Sequence, residues 1–230
     1  MNANRLATSA PSRASRSPGS SARQLWLGTA GFALALALFA APRPGFAAPE
    51  GGDAVVQGLY DTLLVTMKNG RMLGQSGRLA QLAPVIRRVF DLPLMTRLLV
   101  GPAWASLRDA QRQQVTDSFG RYMSAIYAER FDSYHGEKLD VTGQGAAPAG
   151  IIVRSRIIKA NGDAVEVDYL MHRSGDAWLI SDIYLDGTIS ELATRRAEFA
   201  AIIRGHGIDG LIVALNRKAD TSTRNTARAN

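Results

Sequence analysis

From residue 51 onward, apolar side chains recur at intervals of three and four, which is the period of amphipathic helices. The spacing predicts a first helix over residues 51–70 and a second helix over residues 76–90. Asp91 follows directly and has the chemistry of an N-cap for a short third helix, which Gly101 would end. The first part of this region is therefore predicted to be helical.

The longest helix is predicted to start at residues 106–109, which have the form of a capping box. It is expected to run to about Tyr134. Its apolar stripe is rich in aromatic side chains and consists of Val115, Phe119, Tyr122, Met123, Ile126, Tyr127 and Phe131. A stripe of this kind is most often part of a hydrophobic core.

The hydrophobic period then changes from 3.6 to 2, which indicates β-strands. Strands are predicted at residues 137–141, 151–159, 164–172 and 177–185, and residues 143–150 are predicted to form a loop of Gly, Ala and Pro. Turn sequences separate the last three strands and predict hairpins in an antiparallel meander. Both strand faces carry apolar side chains. Because a shift of one residue in register exchanges the faces, the pattern alone leaves the buried face open.

Two further helices are predicted after the meander. The capping-box sequence at residues 188–191 would open the first, which runs to about Arg204, and the second covers residues 208–216. Helices, a meander and helices again are typical of an α+β fold, with the helices packed on one face of a curved antiparallel β-meander. Residues 48–216 are therefore predicted to form a single domain.

Both ends of the chain differ in composition from this domain. Residues 1–47 begin with a basic segment, continue with an apolar run at 25–41 and end with small residues, which is typical of a signal peptide cut after Ala47. The run is shorter than the roughly 20 residues of a spanning helix, and a retained anchor is the alternative. Export is expected in either case. Residues 217–230 hold no large apolar side chain and are predicted to be a disordered basic tail.

The charge of the chain is unevenly distributed. Its 27 Lys and Arg and 20 Asp and Glu give a formal net charge of +7, which is typical of proteins that bind nucleic acid or anionic membranes. Five arginines lie in residues 1–47 and a net +3 lies in residues 217–230, so residues 48–216 carry a net −1. The domain is nearly neutral, and no nucleic-acid partner is predicted. The basic tail is suited to transient contact with anionic lipid headgroups.

The sequence offers little catalytic or metal-binding chemistry. It contains no cysteine, which excludes disulfides, thiolate metal sites and cysteine nucleophiles, and its three histidines lack metal-ligand spacing. No cofactor is predicted, because the G-x-G-x-x-G stretch at residues 205–210 follows a helix instead of a strand. Asp168 and Asp182 lie on neighbouring predicted strands, and a buried member of this pair could serve as a catalytic base.

Several short motifs occur in an order that resembles one family. They are Phe119-x-x-Tyr122 with Tyr127, then YHGE at 134–137, Asn161-Gly162, Trp178 with Asp182, and GIDGL at 207–211. Together with the leader they resemble the MlaC (toluene-tolerance) family of periplasmic phospholipid-binding proteins. The stretch at 184–196 is similar to HpnM, the hopanoid-associated branch. The resemblance covers about residues 53–216.

The resemblance implies an apolar pocket between sheet and helices that holds acyl chains. The side chains predicted to line it are Phe90, Leu94, Met95, Leu98, Tyr122, Ile126 and Tyr127 from helices and Val153, Val167, Tyr169 and Tyr184 from strands. For each of these residues, ordinary core packing is an equally good interpretation.

The resemblance also implies a periplasmic carrier, without enzymatic activity, that shuttles phospholipid or hopanoid between the inner and outer membranes. Its implied partners are an inner-membrane transporter complex and an outer-membrane lipid acceptor. Two alternatives are an enzyme that uses a buried Asp168 or Asp182, and a non-binding adaptor of a transport complex. The enzyme requires a carboxylate that faces a pocket, and the adaptor would have a filled core.

Overall fold

The computed structural model describes residues 51–229, with side chains as far as Thr223. The predicted signal peptide, residues 1–47, lies outside the described residues. The helices are α1 (Gly52–Lys68), α2 (Gly70–Val89), α3 (Leu92–Val100), α4 (Asp109–Arg130) and α5 (Glu191–Ala229), with a 3-10 turn at Gly101–Ser106. The strands are β1 (Lys138–Ala147), β2 (Gly150–Ile158), β3 (Ala164–Ser174), β4 (Ala177–Leu185) and β5 (Ile189–Ser190).

The five strands form one antiparallel sheet in chain order, β1-β2-β3-β4-β5. One face is buried beneath the helices and includes Val153, Tyr169 and Met171, whereas Arg154 and Arg156 on the opposite face are exposed. The predicted α+β fold, with helices on one face of an antiparallel meander, is confirmed. In the described part of the chain, no helix is both long and apolar enough to cross a membrane.

The loop predicted at residues 143–150 was wrong. Most of it belongs to β1, which continues to Ala147 and pairs along β2 after a bulge between Val141 and Gly143. Strands pair through backbone hydrogen bonds, so a segment of Gly and Ala residues can form a strand although its side chains show no strand pattern. Gly150 begins β2 with a φ of 143°, and a Cβ there would meet the Met171 carbonyl oxygen at 2.1 Å. A glycine is therefore required at this close approach.

Two predicted caps differ from the structure. The long helix α4 begins at Asp109, because the Ser106 hydroxyl donates to the Ala103 carbonyl within the 3-10 turn, 2.9 Å away, and does not cap the helix. In the second predicted box the capping residue is Ser190, not Thr188, since the Ala193 N–H donates to Ser190 Oγ at 2.9 Å. The Asp91 cap is confirmed, with the Leu94 N–H donating to Asp91 Oδ1 at 2.9 Å.

The C-terminal helix also differs from the prediction. α5 bends at Gly207, which has a φ of 66°, and then continues through Ala229. The prediction of a disordered tail from residue 217 was therefore wrong for residues 217–223, whose side chains the structure describes. Ala219 is buried, and Arg121 of α4 donates to Asn216 and Asp220 at 2.9 and 3.2 Å. Small side chains let α5 pack closely without the large apolar residues that the prediction required.

Candidate functional site

A cavity of about 150 Å³, partly open to solvent, lies between the buried face of the sheet and helices α3, α4 and α5. Its walls are almost entirely apolar. The helices contribute Met95, Leu99, Phe119, Tyr122, Met123, Ile126, Tyr127, Leu192 and Arg195, together with Arg130, Phe131 and Glu191. The strands contribute Ile157, Val167, Tyr169, Asp182, Ile183 and Leu185. A void with such walls is suited to hydrocarbon groups.

Six of the eleven residues predicted to line a pocket lie in this wall. They are Met95, Tyr122, Ile126, Tyr127, Val167 and Tyr169. The sheet register and helix packing bring them together from α3, α4 and β3. Their contact with a ligand remains a prediction.

The other five lie elsewhere. Phe90 is buried behind the wall, with its ring 5.8 Å from the Tyr127 ring, and Val153 packs beneath Gly52 at the start of α1. Leu94 is half-buried beside the Asp91 cap. Leu98 is 41% exposed and faces solvent, so its placement in the pocket was wrong.

Tyr184 is on the other face of β4, and its prediction was wrong for a related reason. It pairs with Asp168 and Ser190, while its neighbours Ile183 and Leu185 face the cavity. Side chains alternate along a strand, so a displacement of one position exchanged the faces. On α3 the prediction was also displaced by one residue, since Leu99 and not Leu98 faces the cavity.

Three further wall residues, Phe119, Met123 and Phe131, belong to the aromatic stripe that the sequence shows on the long helix. The α5 residues Leu192 and Arg195 were missed. The signal for them is weak, because the first arm of α5 is mostly exposed and only Phe199 is buried among residues 191–206.

Buried tyrosines lie at and behind the cavity wall: Tyr127 and Tyr169 line the cavity, and Tyr60 packs behind Tyr169. The Tyr60 and Ser155 hydroxyl oxygens are 2.6 Å apart, and because Ser155 donates to the Val167 carbonyl, Tyr60 donates to Ser155. The Tyr60 ring meets Tyr169 edge-on at 6.0 Å. Burial raises the pKa of Tyr127 and of Tyr169 far above the ordinary value. These phenols are therefore neutral at physiological pH.

The two aspartates considered as catalytic bases, Asp168 and Asp182, both accept hydrogen bonds from the backbone of neighbouring elements. Asp182 accepts from the backbone N–H groups of Ile183 and Leu192 at 2.8 and 3.1 Å and from the Ser190 hydroxyl at 2.6 Å. Its carboxylate thus holds the start of α5 against β4. Asp168 alternates with Val167 and Tyr169 on β3 and accepts from the Ser155 N–H at 3.4 Å. Neither arrangement presents a free carboxylate to the cavity.

A basic groove lies against one side of the cavity. It is lined by Tyr122, Ile126, Arg195, Arg217, Lys218, Thr221 and Ser222, and we call these residues the mouth groove. Tyr122, Ile126 and Arg195 line both spaces. Burial raises the pKa of Tyr122, whereas the charges of Arg195 and Lys218 act in the opposite direction. The apolar cavity therefore has cations at its edge.

The helices pack on one face of an antiparallel sheet, and an apolar cavity lies between the two layers. The chain is thus an α+β domain with an internal cavity. The MlaC protein family matches residues 57–217, and the chain belongs to this family. A structure of the phospholipid-binding protein from Ralstonia solanacearum in complex with a phospholipid, at 1.53 Å resolution, is similar in fold, with a TM-score of 0.63. The two sequences are 24% identical, and the match covers 76% of this chain and 99% of the other.

Proposed function

We propose that this protein is a lipid-binding carrier whose cavity encloses acyl or other hydrocarbon groups of a membrane lipid. The observation that carries the proposal is the apolar cavity between sheet and helices. Membership of the MlaC family and the phospholipid bound by the Ralstonia protein support it. An adaptor without a ligand would not need the cavity, and the hydrogen bonds of Asp182 give that residue a role without catalysis.

The energetics of lipid transfer explain why such a protein needs an enclosed interior. Exposure of acyl chains to water costs about 0.8 kcal/mol per methylene, which amounts to on the order of 20 kcal/mol for two chains. A carrier must therefore surround the chains and release them directly into another apolar site. We propose that this exchange takes place in the periplasm, with an inner-membrane transporter complex and an outer-membrane lipid acceptor as partners.

The size of the cavity bears on how lipid enters. A cavity of about 150 Å³ in another protein binds one benzene molecule, so this cavity holds only part of an acyl chain. The helices and sheet must separate when a whole lipid is bound. The first arm of α5 is suited to such movement, since few of its residues are buried and glycines at positive φ, Gly187 and Gly207, lie at its two ends.

The lipid itself is either a phospholipid or a hopanoid. The family and the Ralstonia complex favour phospholipid, whereas the similarity of residues 184–196 to the HpnM branch favours hopanoid. Both lipids require a hydrocarbon-lined interior. A flexible acyl chain can follow a narrow cavity more readily than a rigid polycyclic group, so the small volume of this cavity supports phospholipid.

The decisive experiment expresses the full chain in a Gram-negative host that makes both lipids, followed by isolation from the periplasmic fraction. Native mass spectrometry and lipid extraction then identify what co-purifies. A stoichiometric phospholipid or hopanoid is expected, with the mature mass reporting cleavage after Ala47. Protein that carries no lipid, and that also fails to take up lipid from vesicles, would refute the carrier function.

A further inference from the structure

We propose that the mouth groove binds the phosphate of an anionic lipid headgroup, an inference that rests on the carrier function proposed above. The groove adjoins the cavity through Tyr122, Ile126 and Arg195, which line both spaces. A hydrocarbon chain in the cavity that emerges at this edge places its polar end beside Arg195. The remaining groove residues are polar or basic, in contrast to the cavity wall.

The guanidinium of Arg195 is available to donate hydrogen bonds to a ligand. Its guanidinium lies 5.7 Å from the centre of the Tyr122 ring, and its side chain is only 27% exposed. The nearest carboxylate oxygens, from Glu191 and Glu198, are 3.6 and 3.9 Å away, longer than hydrogen bonds. Within the described side chains, none of its five N–H donors has a hydrogen-bond acceptor. A phosphate, which accepts two parallel N–H bonds, would satisfy this group.

The charge balance at the groove is positive. Arg195, Arg217 and Lys218 line it, and Arg130 lies at the adjoining cavity wall. Three carboxylates lie near these four cations: Glu198 pairs with Lys218 and reaches Arg195, Glu191 reaches Arg195, and Asp182 lines the cavity wall together with Arg130.

Arg130 and Arg217 have no carboxylate within 4 Å among the described side chains. The groove and the adjoining cavity wall together therefore carry a net charge of about +1, on a domain whose net charge is −1. A neutral lipid would leave this charge without a counterion, whereas a phosphodiester would neutralise it.

The test compares two lipids with identical acyl chains, phosphatidylglycerol and diacylglycerol, which differ in the phosphate headgroup. Delipidated full-length mature protein is titrated with each lipid in detergent, and the Kd values are measured. We expect tighter binding of phosphatidylglycerol, and a preference that declines as NaCl is raised.

The variant R195Q/R217Q is expected to weaken phosphatidylglycerol binding by about 20-fold, since one exposed ion pair contributes up to about five-fold. Diacylglycerol binding should fall by a much smaller factor, because Arg195 also lines the cavity but has no phosphate to contact in that lipid. R204Q is the matched control, because Arg204 is exposed on the same helix and lies outside both spaces.

The outcomes separate this proposal from the carrier function. Binding of diacylglycerol without a preference for phosphatidylglycerol, or a double variant that loses both lipids equally, would overturn the phosphate site and leave the carrier function standing. Binding of neither lipid by the wild type would refute both. Glycerol 3-phosphate distinguishes the source of the phosphate: binding as tight as that of phosphatidylglycerol would identify a site for soluble phosphate esters and overturn the lipid assignment.

Discussion

The imidazole of His172 lies with Nε2 2.9 Å from Asp91 Oδ2, which joins the end of β3 to the start of α3 across 81 positions of the chain. The other oxygen of Asp91 caps α3 through the Leu94 N–H, and the Asp91 N–H donates to the Ile180 carbonyl at 2.9 Å. One residue therefore fixes α3, which lines the cavity, against two strands of the sheet.

We expect D91A to lower the free energy of unfolding by about 2 kcal/mol, since it removes an N-cap and a partly buried side-chain hydrogen bond. H172Q should cost about 1 kcal/mol, because the cap remains. Urea unfolding of both variants and of the double variant measures the coupling between the residues. Strictly additive effects would show that the His172–Asp91 contact contributes nothing.

Asp182 is expected to stabilise the fold through the start of α5. D182A removes an acceptor for two backbone N–H groups and one hydroxyl, and the free energy of unfolding should fall by about 3 kcal/mol. S190A, which removes the helix cap and one of the three hydrogen bonds to Asp182 but keeps both backbone N–H bonds, should cost less, about 1.5 kcal/mol. Urea denaturation provides both values. A D182A variant of wild-type stability would show that α5 is held in another way.

Filling of the cavity should prevent lipid binding while the fold is retained. L185W places a large ring in the cavity, and because the ring enters open space, the cost of overpacking should stay below about 2 kcal/mol. The control is L170W, since Leu170 alternates with Tyr169 and lies on the other face of β3. Lipid extracted per mole of purified protein should fall for L185W only. Equal lipid content in the two variants would place the binding site elsewhere.

Buried tyrosines predict a loss of stability at alkaline pH. Burial holds the pKa of Tyr127 far above the value of about 10 that a phenol has in the unfolded chain. Above pH 10 the unfolded state loses this proton and the folded state keeps it, so stability falls as the pH rises, by about 1.4 kcal/mol per pH unit for each such residue.

Y127F should reduce that slope by the contribution of one ionising group, about 1.4 kcal/mol per pH unit. The measurement is urea unfolding between about pH 9 and 11, with Y134F as the control because Tyr134 is 40% exposed. If the slopes of Y127F and wild-type protein coincide, the Tyr127 phenol ionises in the folded state and its hydroxyl is open to water.

Arg78 is a buried cation that is expected to be essential for packing of α2 on α4. It is 2% exposed and donates to the carbonyl oxygens of Ala128 and Gly70, each at 2.9 Å, and to Gln75 Oε1 at 2.7 Å. R78M would leave these acceptors unsatisfied and should cost about 3 kcal/mol or more. R88M, at an exposed position of the same helix, should change stability by less than about 0.5 kcal/mol.

Local periodicity accounts for the parts of the fold that the sequence predicts well. The order of helices and strands, the bounds of β4 and the Asp91 cap all depend on residues within a few positions of one another. The same holds for the aromatic stripe of α4, whose period places Tyr122, Ile126 and Tyr127 on one face wherever that face packs. Local periodicity does not predict whether a residue on this face packs in the core or lines the cavity, because that depends on which residues of other elements lie opposite it.

By itself, the sequence predicted a nearly neutral α+β domain without cysteine, with an aromatic stripe along its longest helix. Only the tertiary structure decided which face of β4 turns inward, that Leu99 and not Leu98 reaches the cavity, and that residues 217–223 pack as helix. It also assigned Asp182 to the start of α5. Each of these outcomes depends on contacts between distant segments, and a change of one residue in register or helix rotation reverses them at little local cost.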